Sequence, residues 1–334
     1  MRLHSIASLI FMCLALTAAA ATLEGENFVY NGAVSGGLQH GYGECRYANG
    51  DSYHGFWSKG LPDGLGRMLY ADGTIQFGTW KRGAYQRPKG QRFVAGRQCY
   101  GIDVSRYQLT VDWERLTLPA NASGEVLRRG AKTKYAQPVL FAVMKSTQGT
   151  TIIDPTFTRN FAEAKRCGII RGAYHFLSIH SPAAAQAKYF IANTPLADGD
   201  LPPVLDLEID KATMVKYHDK VVKMAREWLD AVERHYGVKP IVYTYQNYYT
   251  DYLHGHGLDG YDYWIARYGT EPTARRWEIW QFTDRGRATG INHAVDIDIF
   301  RGNYRDLQIY VLQKGIQRNH TLSRRPAILN RVGK

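Results

Sequence analysis

Two carboxylates separated by one residue, Asp206 and Glu208 in "LPPVLDLEID" (201–210), are the residues whose types and spacing most clearly permit chemistry. On an extended strand, residues i and i+2 share a face and sit roughly 6 to 7 Å apart. Two acids so placed can divide the work of breaking a glycosidic bond. One protonates the leaving oxygen and the other steadies the positive charge that develops on the sugar. Repulsion between them raises the pKa of one member, and the pair titrates as a unit. The decapeptide also reads as an edge strand with a solvated acidic end, and Pro202 and Pro203 suit a strand entry under either reading. The elements around the pair must decide.

From Cys99 onward, short apolar runs alternate with longer segments. Eight runs read as strands: 99–105, 139–146, 168–177, 202–208, 240–245, 262–268, 277–283 and 294–300. Helical patterns occupy 157–166, 182–192 and 214–236, whereas the later strands are joined by shorter connections. This order predicts an α/β fold, a closed barrel with crossovers concentrated in its first five strands and an irregular second half. Working groups of such barrels cluster at the C-terminal ends of strands. Polar residues collect there: Asp103 and Ser105, Lys145, Tyr174 and His175, Asp206 and Glu208, Tyr245, Arg267 and Tyr268, Gln281, and Asp296 with Asp298. An apolar strand needs no charged terminus for its own stability, so the repeated placement favours the functional reading of the pair.

Some of these residues have structural alternatives. Asp103 could be a buried acid paired with Lys145 or Arg171. Tyr174, Tyr245 and Tyr268 offer aromatic faces to pyranose rings, with Tyr174 the foremost sugar contact, whereas Trp280 reads as structural. His175 alternates with Tyr174 along its strand and reads as a core histidine. Asp210 reads as a surface acid opening the next helix.

The flanks differ in kind. Residues 30–83 repeat with a period of 23: "YNGAVSGGLQHGYGECRYANGD" from Tyr30, "YHGFWSKGLPDGLGRMLYADGT" from Tyr53 and a truncated "QFGTWKRG" from Gln76. Glycines in register and short alternating runs read as stacked β-hairpins. Residues 84–98 read as a basic linker. The first 21 residues, with Arg2, an apolar stretch from Ile6 to Leu16 and small residues from Ala18 to Ala21, read as a secretory signal. The expected location is therefore exported, periplasmic or secreted. Cys13 leaves with that signal, and Cys45, Cys99 and Cys167 permit at most one intramolecular disulfide. No CxxC or Cys/His cluster appears, so neither a metal site nor a cysteine nucleophile is expected. The net charge of +12 favours acidic polymers or an anionic surface. Export makes nucleic acid the poorest candidate. Residues 305–334 read as a basic C-terminal tail, a helix followed by a solvated arm.

Two resemblances follow. The repeats resemble the MORN repeat, whose YxGxxxxGxxxGxG core stands as Tyr30, Gly32, Gly37, Gly41, Gly43 and again as Tyr53, Gly55, Gly60, Gly64, Gly66. This resemblance implies a small β-sheet array at 28–83. Packing as a cap on the next domain ranks above a dedicated lipid-binding role. Residues 99–304 resemble glycoside hydrolase family 25, the Chalaropsis-type lysozymes, through "GIDVSRYQ", "FAVMKSTQGTTIIDPTF", "RGAYHF", "LPPVLDLE", "PIVYTY", "YWIARYG", "WEIWQFTDRGRATGI" and "VDIDIF". The resemblance implies an irregular eight-stranded TIM-like barrel, (β/α)5(β)3, that cleaves the β-1,4 bond between N-acetylmuramic acid and N-acetylglucosamine of peptidoglycan without a cofactor. Glu208 matches the family's general acid, Asp206 the carboxylate that orients or stabilises, and Asp103 and Asp296 the further acids of the site. Lys145, Tyr174, Tyr245, Tyr268, Gln281 and Asp298 are the expected substrate contacts. The pair's spacing and type favour attack by the substrate's own 2-acetamido group.

Two departures stand out. The family usually has Glu where this chain has Gln148, and residues 114–140 form a longer connection, expected as a lid or partner surface. The expected partners are peptidoglycan glycan strands, together with an anionic envelope polymer or membrane surface met by the repeats or the basic tail. The alternatives are a non-catalytic glycan- or partner-binding scaffold and a hydrolase of another N-acetylhexosamine polymer such as chitin.

Overall fold

The computed structural model describes residues 21–72, 74–86, 98–129 and 132–317. The expected signal lies almost wholly outside the described residues, as do most of the basic linker and the end of the tail. No helix among the described residues is long and apolar enough to cross a membrane.

The repeats form one antiparallel meander: β1 (Ala21–Gly25), β2 (Phe28–Ser35), β3 (Leu38–Tyr47), β4 (Ser52–Ser58), β5 (Leu61–Leu69), β6 (Ile75–Lys81) and β7 (Ala84–Tyr85). The sequence pattern has a steric cause. Tyr30 and Tyr53 are fully buried and lie over glycines of the neighbouring strand. A Cβ at Gly43 would come within 2.3 Å of the Tyr30 hydroxyl, and one at Gly66 within 2.0 Å of the Tyr53 hydroxyl. Each repeat tyrosine thus requires its glycine. Tyr30, Trp57, Tyr53 and Trp80 make an edge-to-face ladder with centroids 5.1 to 5.3 Å apart.

The barrel strands are β8 (Cys99–Val104), β11 (Phe141–Gln148), β13 (Ile170–Phe176), β14 (Val204–Asp206), β15 (Ile241–Tyr245), β16 (Asp262–Ala266), β17 (Trp277–Gly286) and β18 (Val295–Phe300). They lie side by side in that order and close through a β8–β11 pairing. Seven are parallel, and β18 runs antiparallel to both β17 and β8. The expected α/β barrel is therefore present, with its irregularity concentrated at β18. Helices α1 (Phe157–Arg166), α2 (Ala183–Asn193) and α3 (Lys211–Tyr236) cover the outside of the first strands, and a one-turn helix α4 (Gln246–Tyr248) follows β15. A two-residue strand, β12 (Ile152–Ile153), folds back on β11. Asp210 caps α3 by accepting a 2.9 Å bond from the Thr213 amide, and Gly237, at φ +74°, ends that helix.

The segment 114–140 is anchored by paired strands. It supplies the hairpin β9 (Thr117–Ala120) and β10 (Tyr135–Pro138), which buries Leu118 and Ala120 completely where a crossover helix would otherwise lie.

The tail opens on the expected helix. Residues from 304 form α5 (Tyr304–Lys314), capped by Asn303, which buries Tyr304, Leu307, Tyr310 and Val311 against the barrel's inner cluster. Lys314 Nζ lies 2.6 Å from Asp262. Apolar residues at helical spacing outweigh the basic composition of this stretch.

The repeat sheet packs at the N-terminal ends of the barrel strands. Leu69 and Ile75 join the inner cluster around Cys99, Phe141 and Tyr304. Arg67 donates to the carbonyls of Val139 and Cys167, the residues that lead into β11 and β13. Cys45, Cys99 and Cys167 are buried free thiols.

Candidate active site

Alternation along the strands decides which side chains enter the barrel. Ile102, Val104, Leu205, Val242, Ile265 and Ile297 pack outward under the helices, while Val204, Tyr243, Trp264 and Ile279 pack inward. The residues between the outward set therefore face in: Asp103 on β8, Asp206 on β14, Tyr243 on β15, and Asp296 and Asp298 on β18. At the C-terminal ends of the parallel strands they open into a cleft of about 350 Å³. Its lining includes Asp103, Lys145, Tyr174, Asp206, Glu208, Tyr243, Tyr245, Tyr268, Gln281, Asp284 and Asp296.

Four carboxyls converge. Asp103 and Asp296 face each other across the β8–β18 pairing and share a hydrogen bond. Gln281 Nε2 donates to Asp103 Oδ2 at 2.8 Å, and Gln281 Oε1 accepts from Tyr243 at 3.0 Å and from Tyr268 at 3.4 Å. The Glu208 carboxyl is hydrogen-bonded by Tyr243 and Tyr245. One connected network thus runs from Glu208 through Tyr243 and Gln281 to Asp103 and Asp296. Asp206 is buried, and its Oδ1 has no hydrogen-bond partner among the described residues.

Burial dominates the electrostatics. It pushes Asp103 and Asp206 well above the usual carboxylate range, and like-charge neighbours add to the rise: Asp296 for Asp103, and Glu208 for Asp206. Burial also raises Glu208, and it lifts Asp296, with help from Asp284, to about 7. Lys145 opposes this by favouring the ionised forms of both Asp206 and Glu208. Its ammonium donates to Gln148 Oε1 at 2.7 Å and lies 4.8 Å from the Phe176 ring centroid.

The structure brings together nine of the ten residues singled out in the sequence and separates one. Asp298 is fully buried beneath the cleft, its Oδ1 accepting from Trp264 Nε1 at 2.9 Å. It does face inward, but β18 descends from the cleft, so Asp296 lies at the mouth and Asp298 one pleat deeper. The expectation that both end their strand at the cleft assumed a parallel β18. Asp103 pairs with neither Lys145 nor Arg171, and Arg171 instead binds Asp200 at 2.7 Å. His175 is a core residue held by Thr147 at 2.7 Å and Gln186 at 3.1 Å. Trp280 donates to the Arg267 carbonyl at 2.7 Å and is absent from the cleft lining. Sequence reasoning missed Tyr243, Asp284 and Tyr107. Tyr243 was within reach, because it stands two residues before Tyr245 on the same strand face.

Residues 102–291, over half of the chain, match the profile of glycosyl hydrolases family 25, and residues 30–52 and 53–75 match the MORN repeat. The chain is 34% identical over 223 residues to the Escherichia coli (strain K12) protein YegX, covering 66% of this chain and 76% of that one. It is 30% identical over 237 residues to Lysozyme M1 of Streptomyces globisporus, covering 66% and 73%. Among solved structures, the bacterial lysozyme from Streptomyces coelicolor superposes with a TM-score of 0.53 at 27% identity, covering 64% of this chain and 97% of that one. The chain belongs to glycosyl hydrolases family 25. It is a glycoside hydrolase.

Proposed function

We propose that this chain is an exported muramidase that hydrolyses the β-1,4 bond between N-acetylmuramic acid and N-acetylglucosamine in peptidoglycan. Its family and its similarity to Lysozyme M1 support a muramidase-type glycosidase. In this reading Glu208 is the general acid and Asp206 orients the substrate's 2-acetamido group for attack on the anomeric carbon.

The observation that supports this division of roles is the buried, unpartnered Asp206 Oδ1 beside a Glu208 whose pKa burial raises. A buried carboxylate oxygen without a donor is costly. An acetamido N–H presented by the sugar would satisfy it. Tyr243 adds a second support. A hydroxyl has one proton and two lone pairs, so Tyr243 can donate to Gln281 while accepting from protonated Glu208. It can turn to the carboxylate once that proton has gone to the leaving oxygen. Asp103 and Asp296 hold the far end of the network, and Tyr174, Tyr245 and Tyr268 offer ring faces to the sugars.

Glu208→Gln removes the proton donor while keeping the side-chain shape. It is expected to lower kcat by about 10²–10⁴ with glycan binding retained. Proton NMR of the first product from the wild-type protein is expected to show the anomer retained, and an inverted first product would eliminate the acetamido-assisted route.

A further inference from the structure

We infer that Tyr107 is an outlying saccharide platform of the cleft, placed across its mouth from Tyr245 and Tyr268, for glycan chains that extend beyond the scissile bond. Three observations support it. Tyr107 lines the cleft and is 69% exposed, a large ring left in solvent at the site itself. Exposed aromatics are unremarkable when scattered, but this one stands on an anchored turn at the cleft.

The turn that bears it, Arg106–Gln108, is tied down on every side. Gln108 Oε1 accepts from the Ser105 amide at 2.9 Å, and Gln108 Nε2 donates to the Ala294 carbonyl at 3.1 Å. The Arg106 amide donates to Asp154 Oδ2 at 2.8 Å. The turn ends at Leu109, a non-glycine residue at φ +55° that is itself 58% exposed. Such a backbone persists where its surroundings over-determine it, and it is concentrated at functional sites. The Arg106 guanidinium lies 5.4 Å from the ring centroid.

Topology gives the third observation. In the closed order of eight strands, β8 stands opposite β15, and β11 opposite β16. Tyr107 follows β8, Tyr245 ends β15 and Tyr268 follows β16, with Asp206 ending β14 and Glu208 two residues beyond it on the rim between them. A polymer crossing the carboxyls would meet an aromatic face at either end, and pyranose rings present apolar C–H faces to such rings. The inference rests on the peptidoglycan reading for the identity of the sugar and on the cleft alone for the subsite.

Calorimetric titration of the intact Glu208→Gln protein with muramic-acid-containing and chitin oligomers, from disaccharide to hexasaccharide, tests it. Adding Tyr107→Ala is expected to weaken hexasaccharide binding about tenfold and disaccharide binding much less, and Tyr107→Trp is expected to restore the loss. Equal weakening at every length, no weakening, or failure of the tryptophan variant to restore binding would overturn it. So would parent protein that binds long and short oligomers alike. Binding of chitin alone with the same dependence on Tyr107 would refute the proposed polymer and leave the platform standing.

Discussion

Lys145 shapes the chemistry of the cleft more than its single charge suggests. The lining carries five acids, Asp103, Asp206, Glu208, Asp284 and Asp296, against this one cation. Its hydrogen-bond partner, Gln148, is neutral, so the ammonium's field acts on the carboxyls. It favours ionisation of Asp206 and Glu208 while burial opposes it. The sign of a substitution follows. Lys145→Met removes the charge that holds the two acids down, so both pKa values rise further and Glu208 keeps its proton to higher pH. The alkaline limb of the kcat/KM profile is expected to move upward, and a downward move would contradict the assignment. At this scale the pair was legible because a spacing of two fixes a shared face wherever the backbone is extended. The position of Asp298 was not, because it depends on the direction of β18, which a strand's own pattern does not encode.

The junction between the repeat sheet and α1 has its tightest packing at one glycine. Gly168 follows that helix at φ +64°, and a Cβ there would come within 2.3 Å of His54 Nδ1. His54 is buried, and desolvation with neighbouring Arg67 holds its pKa down at about 3, so it packs as a neutral ring. Gly199 provides a control, with φ +85° and nothing within 4 Å of the added atom. Gly199→Ala is expected to cost about 1–2 kcal/mol for its left-handed backbone alone. Gly168→Ala is expected to cost at least about 1 kcal/mol more, from the clash and the displaced histidine. Denaturant titration of the two variants checks this, and equal losses would show that the junction yields. Helices α1, α2 and α3 were legible from their apolar periodicity. The β9–β10 hairpin was not, because four-residue strands containing Pro119 or Pro138 carry almost no alternating pattern.

At the scale of the molecule, the two parts divide the barrel's ends. The repeat sheet packs where strands begin, through Arg67, Leu69 and Ile75, and the cleft opens where they end. That arrangement accords with the sheet as a cap and keeps it away from the mouth. The eightfold order was readable because each strand is a short apolar run ended by polar residues, and the repeat because its tyrosines need glycines at fixed distances. What the repeats touch is not written in their pattern, because the Tyr–Gly spacing serves the sheet's own packing. The central claim, cleavage on the reducing side of muramic acid, is tested most directly by digesting peptidoglycan sacculi, reducing the products with borohydride and identifying the reduced terminal sugar by mass spectrometry. Muramitol that appears with the wild-type protein and disappears with Glu208→Gln is the predicted result. Glucosaminitol, or muramitol in equal amount from both proteins, would contradict it.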